Sequence, residues 1–138
     1  MICLCTILRR AAVALTLAAA APALLAPAVA AEFPFGHELL LDVKPMKGSK
    51  RVPSLAIAEN GLADIELWCS SLKGQLVVAG DTITILTGAK TERSCTPERM
   101  RGDDDVLAAL TEVTNWRREG EYLVLTGART MRFRLQTN

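Results

Sequence analysis

Short segments of alternating apolar and polar residues, separated by turns that contain glycine, fill the chain from residue 37 onward. Residues 82–86 place isoleucines on one side and threonines on the other, as a half-buried strand does. An Asn60-Gly61 pair between two such segments predicts a tight hairpin with positive φ at both turn residues. This pattern restricts the chain to a mainly antiparallel β fold.

Eight short strands and one helix account for the pattern. The predicted strands lie at residues 37–43, 55–57, 64–69, 74–78, 82–86, 115–118, 122–125 and 130–135. The period changes between Cys95 and Trp116, where Val106, Leu107, Leu110 and Val113 form the stripe of an amphipathic helix. We therefore expect a small antiparallel β-barrel or strongly bent sheet of about eight strands (mainly β, α+β), with one helix before the last three.

The sequence contains two possible N-termini for this helix. Asp103-Asp104-Asp105 supplies carboxylates that can cap free N–H groups, and Thr96-Pro97-Glu98 places proline at a first helical position. Gly102 either separates two short helices or lies within one.

Residues 1–30 have the pattern of a cleavable export signal. Arg9 and Arg10 precede an uncharged Ala/Leu stretch at residues 11–26, and Ala28-Val29-Ala30 has the A-x-A form that signal peptidase cuts. The stretch contains Pro22 and is shorter than the ~20 residues of a spanning helix. Residues 28–36 contain no cysteine that could carry a lipid immediately after the predicted cut at Ala30 or Ala31. We therefore expect a periplasmic or secreted chain, residues 31–138, without a stable membrane anchor.

Charge and length limit the class of protein. Removing Arg9 and Arg10 from the 16 basic residues leaves 14 against 15 acidic residues. A near-neutral domain of this kind is not a nucleic-acid binder by bulk charge, and its length suits one compact domain.

Cys69 and Cys95 are the cysteines that remain after cleavage, since Cys3 and Cys5 leave with the signal. In an oxidising compartment such a pair predicts a disulfide. A thiol-redox site is disfavoured because no C-x-x-C occurs in residues 31–138, and the strand pattern turns Cys69 toward the interior.

The order of these elements resembles the META domain, the family that includes the heat-shock protein HslJ. The resemblance rests on Cys69, on Thr91 to Cys95, on the Val106–Val113 helix, and on the paired segments 122–125 and 130–135. Ser70 stands where the family usually shows asparagine, and the spacing within 91–95 differs by one residue. The resemblance implies a lipocalin-like barrel with one helix over roughly residues 37–136, and it implies no defined activity.

Known catalytic and metal-binding patterns are not matched. His37 is the single histidine, so zinc would lack ligands and a serine triad would depend on a residue near the new N-terminus. Gly88-Ala89-Lys90-Thr91 lacks the first glycine of a phosphate loop and reads as a turn. The aspartates 103–105 suit a helix cap better than a cation site. We expect no cofactor and no enzyme activity.

Two basic surfaces are the remaining candidates for binding. The first set comprises Arg117, Arg118, Arg129, Arg132 and Arg134, and the second Lys44, Lys47, Lys50 and Arg51. Either set fits an anionic envelope component or a protein partner, although solvated side chains on an exposed sheet face give the same pattern.

The leading functional expectation is an accessory, stress-related, non-enzymatic protein of the cell envelope whose partner is undefined. A secreted inhibitor of a hydrolase, such as a lysozyme or a protease, is the alternative, and an enzyme with an unrecognised site is the third.

Overall fold

A computed structural model describes residues 31–91 and 93–137 as an eight-stranded antiparallel barrel with one helix. The predicted signal peptide lies outside the described residues. The strands are β1 (Glu38–Leu41), β2 (Ser54–Ile57), β3 (Leu62–Glu66), β4 (Ser71–Ala79), β5 (Thr82–Thr87), β6 (Val113–Glu119), β7 (Tyr122–Gly127) and β8 (Thr130–Leu135); helix α1 (Pro97–Thr111) lies between β5 and β6. The predicted fold class is confirmed.

Each strand pairs with its neighbour in sequence, and β1 pairs with β8 to close the barrel. The shortest strand pairing is that of β5 with β6, which has a single register pair, Thr82 opposite Asn115. Helix α1 follows β5 and packs against it, which places the helix across the end of the barrel at this seam.

Alternation along the strands fills the interior. Leu39, Leu123, Leu125 and Phe133 have no exposed surface, and they pack with Leu110 of α1 in one apolar cluster. Their burial is the main stabilising contribution, at about 1.5–3 kcal/mol for each large side chain. The predicted inward face of β8 is confirmed, with Arg132 and Arg134 outside.

The turns differ from the sequence expectation in detail. Gly61 has φ of 81°, but Asn60 does not have positive φ, so the prediction of positive φ at both turn residues is wrong for Asn60. The connection spans residues 58–61, and the Asn60 side chain accepts a hydrogen bond from the Leu62 N–H (3.1 Å). The strand predicted to reach Cys69 ends at Glu66, because the chain turns over 67–70 with the Leu67 N–H donating to the Ser70 carbonyl (2.8 Å).

The helix is one element that begins at Pro97, with Gly102 inside it. The alternative start at Asp103-Asp104-Asp105 is wrong, since these residues lie in the middle of the helix. Gly102 is buried where α1 crosses other parts of the chain: an added Cβ would collide with the Met46 side chain and lie 3.0 Å from Trp68 Cδ1. Glycine at this position allows close packing, which offsets its cost in a helix of about 1 kcal/mol.

The two barrel ends are closed differently. Helix α1 and the loop 42–53 cover the end where β1 finishes, with Ala109 and Leu110 buried in the core. At the opposite end, Phe33 precedes β1 and packs edge-on against Trp116, with ring centroids 5.0 Å apart. Within the described residues, no helix is long and apolar enough to cross a membrane.

Candidate functional site

Three of the five predicted arginines share the outer face of β6–β8. Arg117 and Arg132 lie on either side of Val124 in the strand register, and Arg134 lies opposite Tyr122. Val124 is only 1% exposed although it is not part of the barrel core. The side chains that flank it therefore cover it, as the aliphatic stems of arginine can.

The charges on this face are partly engaged by the protein itself. Arg117 Nε donates to Glu119 Oε1 (2.8 Å), and the Arg132 guanidinium carbon lies 4.0 Å from the centre of the Tyr122 ring. Arg134 forms neither a hydrogen bond nor an ion pair through its side chain with any described residue. The face is thus less basic than its arginine count suggests.

Arg118 and Arg129 lie elsewhere. Arg118 is paired with Leu123, so it shares the inner face at the barrel rim, where its Nε donates to the Gly120 carbonyl (3.0 Å). Arg129 lies in the β7–β8 turn and donates to the Asp105 carbonyl of α1 (2.6 Å). The structure therefore divides the predicted set of five into a group of three and two separate residues.

A groove of about 410 Å³ lies between α1 and the strands β1 and β8. Its apolar part is formed by Leu41, Val43, Val106, Ala109 and Met131. Its rim is formed by Asp42, Asp105, Arg129 and the backbone of Arg132, whose guanidinium lies over Tyr122. Val43 is 45% exposed here, so the groove has an apolar side chain that is open to solvent. We call this feature the helix groove.

The rim of the helix groove is held by hydrogen bonds. The Asp42 N–H donates to the Arg132 carbonyl (2.8 Å), which extends the β1–β8 pairing beyond the end of β1. The bond from Arg129 to Asp105 joins the β7–β8 turn to the helix. Both sides of the groove are therefore positioned relative to each other without a ligand.

Sequence reasoning found two rim residues of the helix groove, Arg129 and Arg132, but missed the groove. Its walls come from residues 41–43, 105–109 and 129–132, which are distant in sequence. The exposed Val43 just beyond β1 was a signal, since apolar alternation continues past the last paired residue.

The predicted disulfide joins Cys69 to Cys95, with the Cα atoms 6.1 Å apart. Beside it, the fully buried Asp103 accepts hydrogen bonds from the Cys69 N–H (3.1 Å) and the Ser70 N–H (2.7 Å). The expectation that Asp103 caps a helix N-terminus is wrong. Its side chain instead joins α1 to the 67–70 turn, where a buried backbone N–H requires a partner.

The second basic set lies in the exposed loop 42–53. Arg99 of α1 donates to the Lys47 carbonyl (3.2 Å) and so ties the loop to the helix. Lys50 and Arg51 border a different pocket, on the outer face of β1–β3. The loop therefore separates the helix groove from this second pocket.

The other candidate residues from the sequence do not come together as a site. His37 is exposed, and the described residues contain no group of three side chains able to hold a metal ion. Thr91 ends the segment 88–91, the one that partly matches a phosphate loop, and it pairs with Ser71 as an isolated bridge. Ser70 is buried, with its N–H on Asp103.

The chain shares 17% identity with a protein from Burkholderia xenovorans solved by NMR, over 85% of this chain and 99% of that one, with a TM-score of 0.60. A second NMR structure gives 20% identity, coverage of 72% and 89%, and a TM-score of 0.58. A DUF4847 family protein from Bacteroides vulgatus ATCC 8482 gives 14% identity, coverage of 59% and 57%, and a TM-score of 0.50.

These identities show a shared fold alone. Among curated proteins, none matches the chain. The META domain model matches residues 39–138, which include every strand but the first residue of β1, as well as the helix and both disulfide cysteines. On that match over most of its length, the chain belongs to the META domain family.

Proposed function

We propose that this META domain protein is an exported, non-enzymatic protein of the cell envelope that binds a protein partner through the helix groove. The observation that carries the proposal is the groove itself. It has an apolar floor and a polar rim that includes Asp42, Asp105 and Arg129, the arrangement of a small protein–protein contact with an apolar centre and a polar border.

The size of the groove supports a protein partner. About 410 Å³ accommodates one or two large apolar side chains, which is the scale of a binding hot spot. The barrel interior described above is filled by apolar side chains, so a ligand would bind on the surface. A rim with charges of both signs favours a partner segment that is apolar with charges of both signs around it.

Export is supported by the disulfide and by the signal pattern. A disulfide between Cys69 and Cys95 persists where thiols are oxidised, as in the periplasm or outside the cell. Residues 1–30 provide the matching leader pattern. We place the protein in the periplasm or the extracellular space on these two grounds.

A photocrosslinking amino acid at groove positions Val43 and Val106 tests the proposal in intact cells. Matched controls carry it at Leu62 and Val77, which are 54% and 53% exposed on the other side of the barrel. We expect one defined adduct from both groove positions and none from the controls. The proposal fails if groove and control positions give the same adducts, or if the groove gives none in stressed and unstressed cells.

Inhibition of a hydrolase is the second candidate, and the loop 42–53 favours it. The loop is exposed yet braced, since the Ser49 hydroxyl donates to the Arg51 carbonyl (3.0 Å) and Arg99 holds Lys47. Braced loops lose little entropy on binding, which suits an inhibitor. Titration against lysozymes and proteases tests it: complete inhibition at equimolar protein supports the inhibitor, and unchanged rates across the panel remove it.

An enzyme ranks third. It would require a cavity with convergent polar groups, whereas the buried side chains among the described residues are apolar apart from Ser54, Ser70 and Asp103, and Asp103 bonds to backbone N–H groups. The same hydrolase panel with the protein alone measures any intrinsic turnover.

A further inference from the structure

A pocket of about 350 Å³ opens on the outer face of β1–β3, where the loop 42–53 rejoins the barrel. It lies across that loop from the helix groove and shares no residue with it. Its floor holds Ser54, and the side chains around it include Glu38, Leu40, Lys50, Arg51 and Glu66. We call it the Ser54 pocket.

Ser54 is the first unusual feature of this pocket. It lies in the middle of a row across three strands, between Leu40 on β1 and Glu66 on β3. It is only 8% exposed, and its hydroxyl makes no hydrogen bond with any described residue. Its oxygen is not among the described buried polar atoms that lack a partner, so the hydroxyl reaches solvent at the floor of the pocket, where a ligand could accept or donate a hydrogen bond.

The charges around Ser54 are the second unusual feature. Glu38 and Glu66 border the pocket with Lys50 and Arg51, and none of the four forms an ion pair with a described residue. Elsewhere on the barrel, opposite charges do pair, as Lys73 does with Asp64. Two carboxylates and two cations therefore surround one hydroxyl while remaining available to a ligand.

These observations select a class of ligand. A simple anion would be repelled by Glu38 and Glu66, and a simple cation by Lys50 and Arg51. A molecule with both charges can place its carboxylate toward the loop and its ammonium toward β1 and β3, where charge-assisted hydrogen bonds form. Leu40 adds an apolar contact for a small side chain.

We infer that the Ser54 pocket binds a small zwitterion that carries an ammonium and a carboxylate group, as an amino acid or a dipeptide does. Lys50 and Arg51 bind the carboxylate, and Glu66 with Glu38 binds the ammonium. The Ser54 hydroxyl donates to the carboxylate or accepts from the ammonium between them. This site is separate from the helix groove, so the proposal for one can fail while the proposal for the other holds.

NMR titration of the exported protein with alanyl-alanine tests the inference. N-acetyl-alanyl-alanine, which lacks the ammonium, and alanyl-alanine amide, which lacks the carboxylate, are the matched ligands, and free alanine distinguishes an amino acid from a dipeptide. We expect saturable shifts at residues 38–40, 50–54 and 66 with alanyl-alanine or alanine, and at least about fivefold weaker binding of both capped ligands. Equal shifts with all ligands, or shifts away from these residues, would overturn it.

Three variants locate the site. Ser54→Ala, Glu66→Gln and Arg51→Gln should each weaken binding about fivefold or more, since each removes one ligand contact. Glu121→Gln and Arg101→Gln, exposed residues outside the pocket, are the matched controls and should change binding less than twofold. Equal weakening by pocket and control variants would contradict the assignment.

Discussion

The barrel is closed by strong, specific bonds at one end and by aromatic packing at the other. At the helix end, a disulfide and the buried Asp103 both hold α1 to the 67–70 turn. At the opposite end, Phe33 packs on Phe35 and Trp116, with ring centroids 4.7 Å and 5.0 Å apart. One closure is covalent and polar, and the other is apolar and formed by a terminal segment.

The difference follows from what each end must hold. The helix end carries the inserted segment 88–112 between β5 and β6, the two neighbouring strands with the shortest pairing. Bonds other than those between these two strands are therefore needed to hold this end. The opposite end needs only a cover for the core, which a few residues before β1 provide. We therefore expect perturbations at the helix end to destabilise the whole barrel and those at the opposite end to act locally.

Removing the disulfide should have the largest effect. Cys69→Ser combined with Cys95→Ser opens a loop of 26 residues, which lowers the free energy of unfolding by about 3–4 kcal/mol in the chain-entropy treatment. Urea unfolding of the variant and of the oxidised protein measures the difference. A loss below about 1 kcal/mol would mean that Asp103 and the core hold the helix without the disulfide.

Asp103→Asn should have the second-largest effect and lower the free energy of unfolding by about 2–3 kcal/mol. The amide keeps one acceptor oxygen but turns an NH₂ group toward a backbone N–H, so one of the two buried donors loses its partner. Asp105→Asn, exposed on the same helix, is the matched control and should cost less than about 0.5 kcal/mol. Equal losses in the two variants would refute a special role for Asp103.

Phe33→Ala should cost about 1–2 kcal/mol, less than the 3–5 kcal/mol of a central phenylalanine. The segment that carries Phe33 can detach while the barrel stays folded, which limits the loss. In a Trp68→Phe background, the fluorescence of Trp116 should shift to the red as its ring meets water. An unchanged spectrum together with a loss above about 3 kcal/mol would show that this end is part of the central core.

Trp116→Phe should have the smallest effect, about 1 kcal/mol. The ring is largely retained, but the bond from Trp116 Nε1 to the Gly80 carbonyl (2.8 Å) is lost. Thermal unfolding measures the change. A loss as large as that of the cysteine variant would erase the distinction between the two ends.

Much of the fold was predictable because its strands and helix follow local patterns of apolar and polar residues. Alternation located the eight strands and the inward faces of β7 and β8. The stripe of Val106, Leu107 and Leu110 located the helix, but Val113, also predicted to lie on it, is the first residue of β6 because the helix ends at Thr111. The disulfide followed from the pairing of the two remaining cysteines. Strand ends were less accurate, since the 67–70 turn that ends β3 early depends on its contact with Asp103.

The candidate sites were less predictable because they combine distant segments. Strand alternation already implied that Arg117 and Arg118 lie on opposite faces, so the predicted cluster could have been divided from sequence. The helix groove and the Ser54 pocket could not be found in that way. Both depend on where α1 and the loop 42–53 pack against the barrel, and neither packing follows from a local period.

Intact-mass analysis of the protein isolated from the periplasm or the medium, after alkylation without reduction, tests the central claim most directly. The claim is that the working chain is an exported META barrel locked at its helix end. We predict a chain that begins at Ala31 or Glu32, carries no alkyl group and has the mass of a disulfide-bonded form. A mature chain with two alkylated thiols, or a chain that retains residues 1–30, would contradict it.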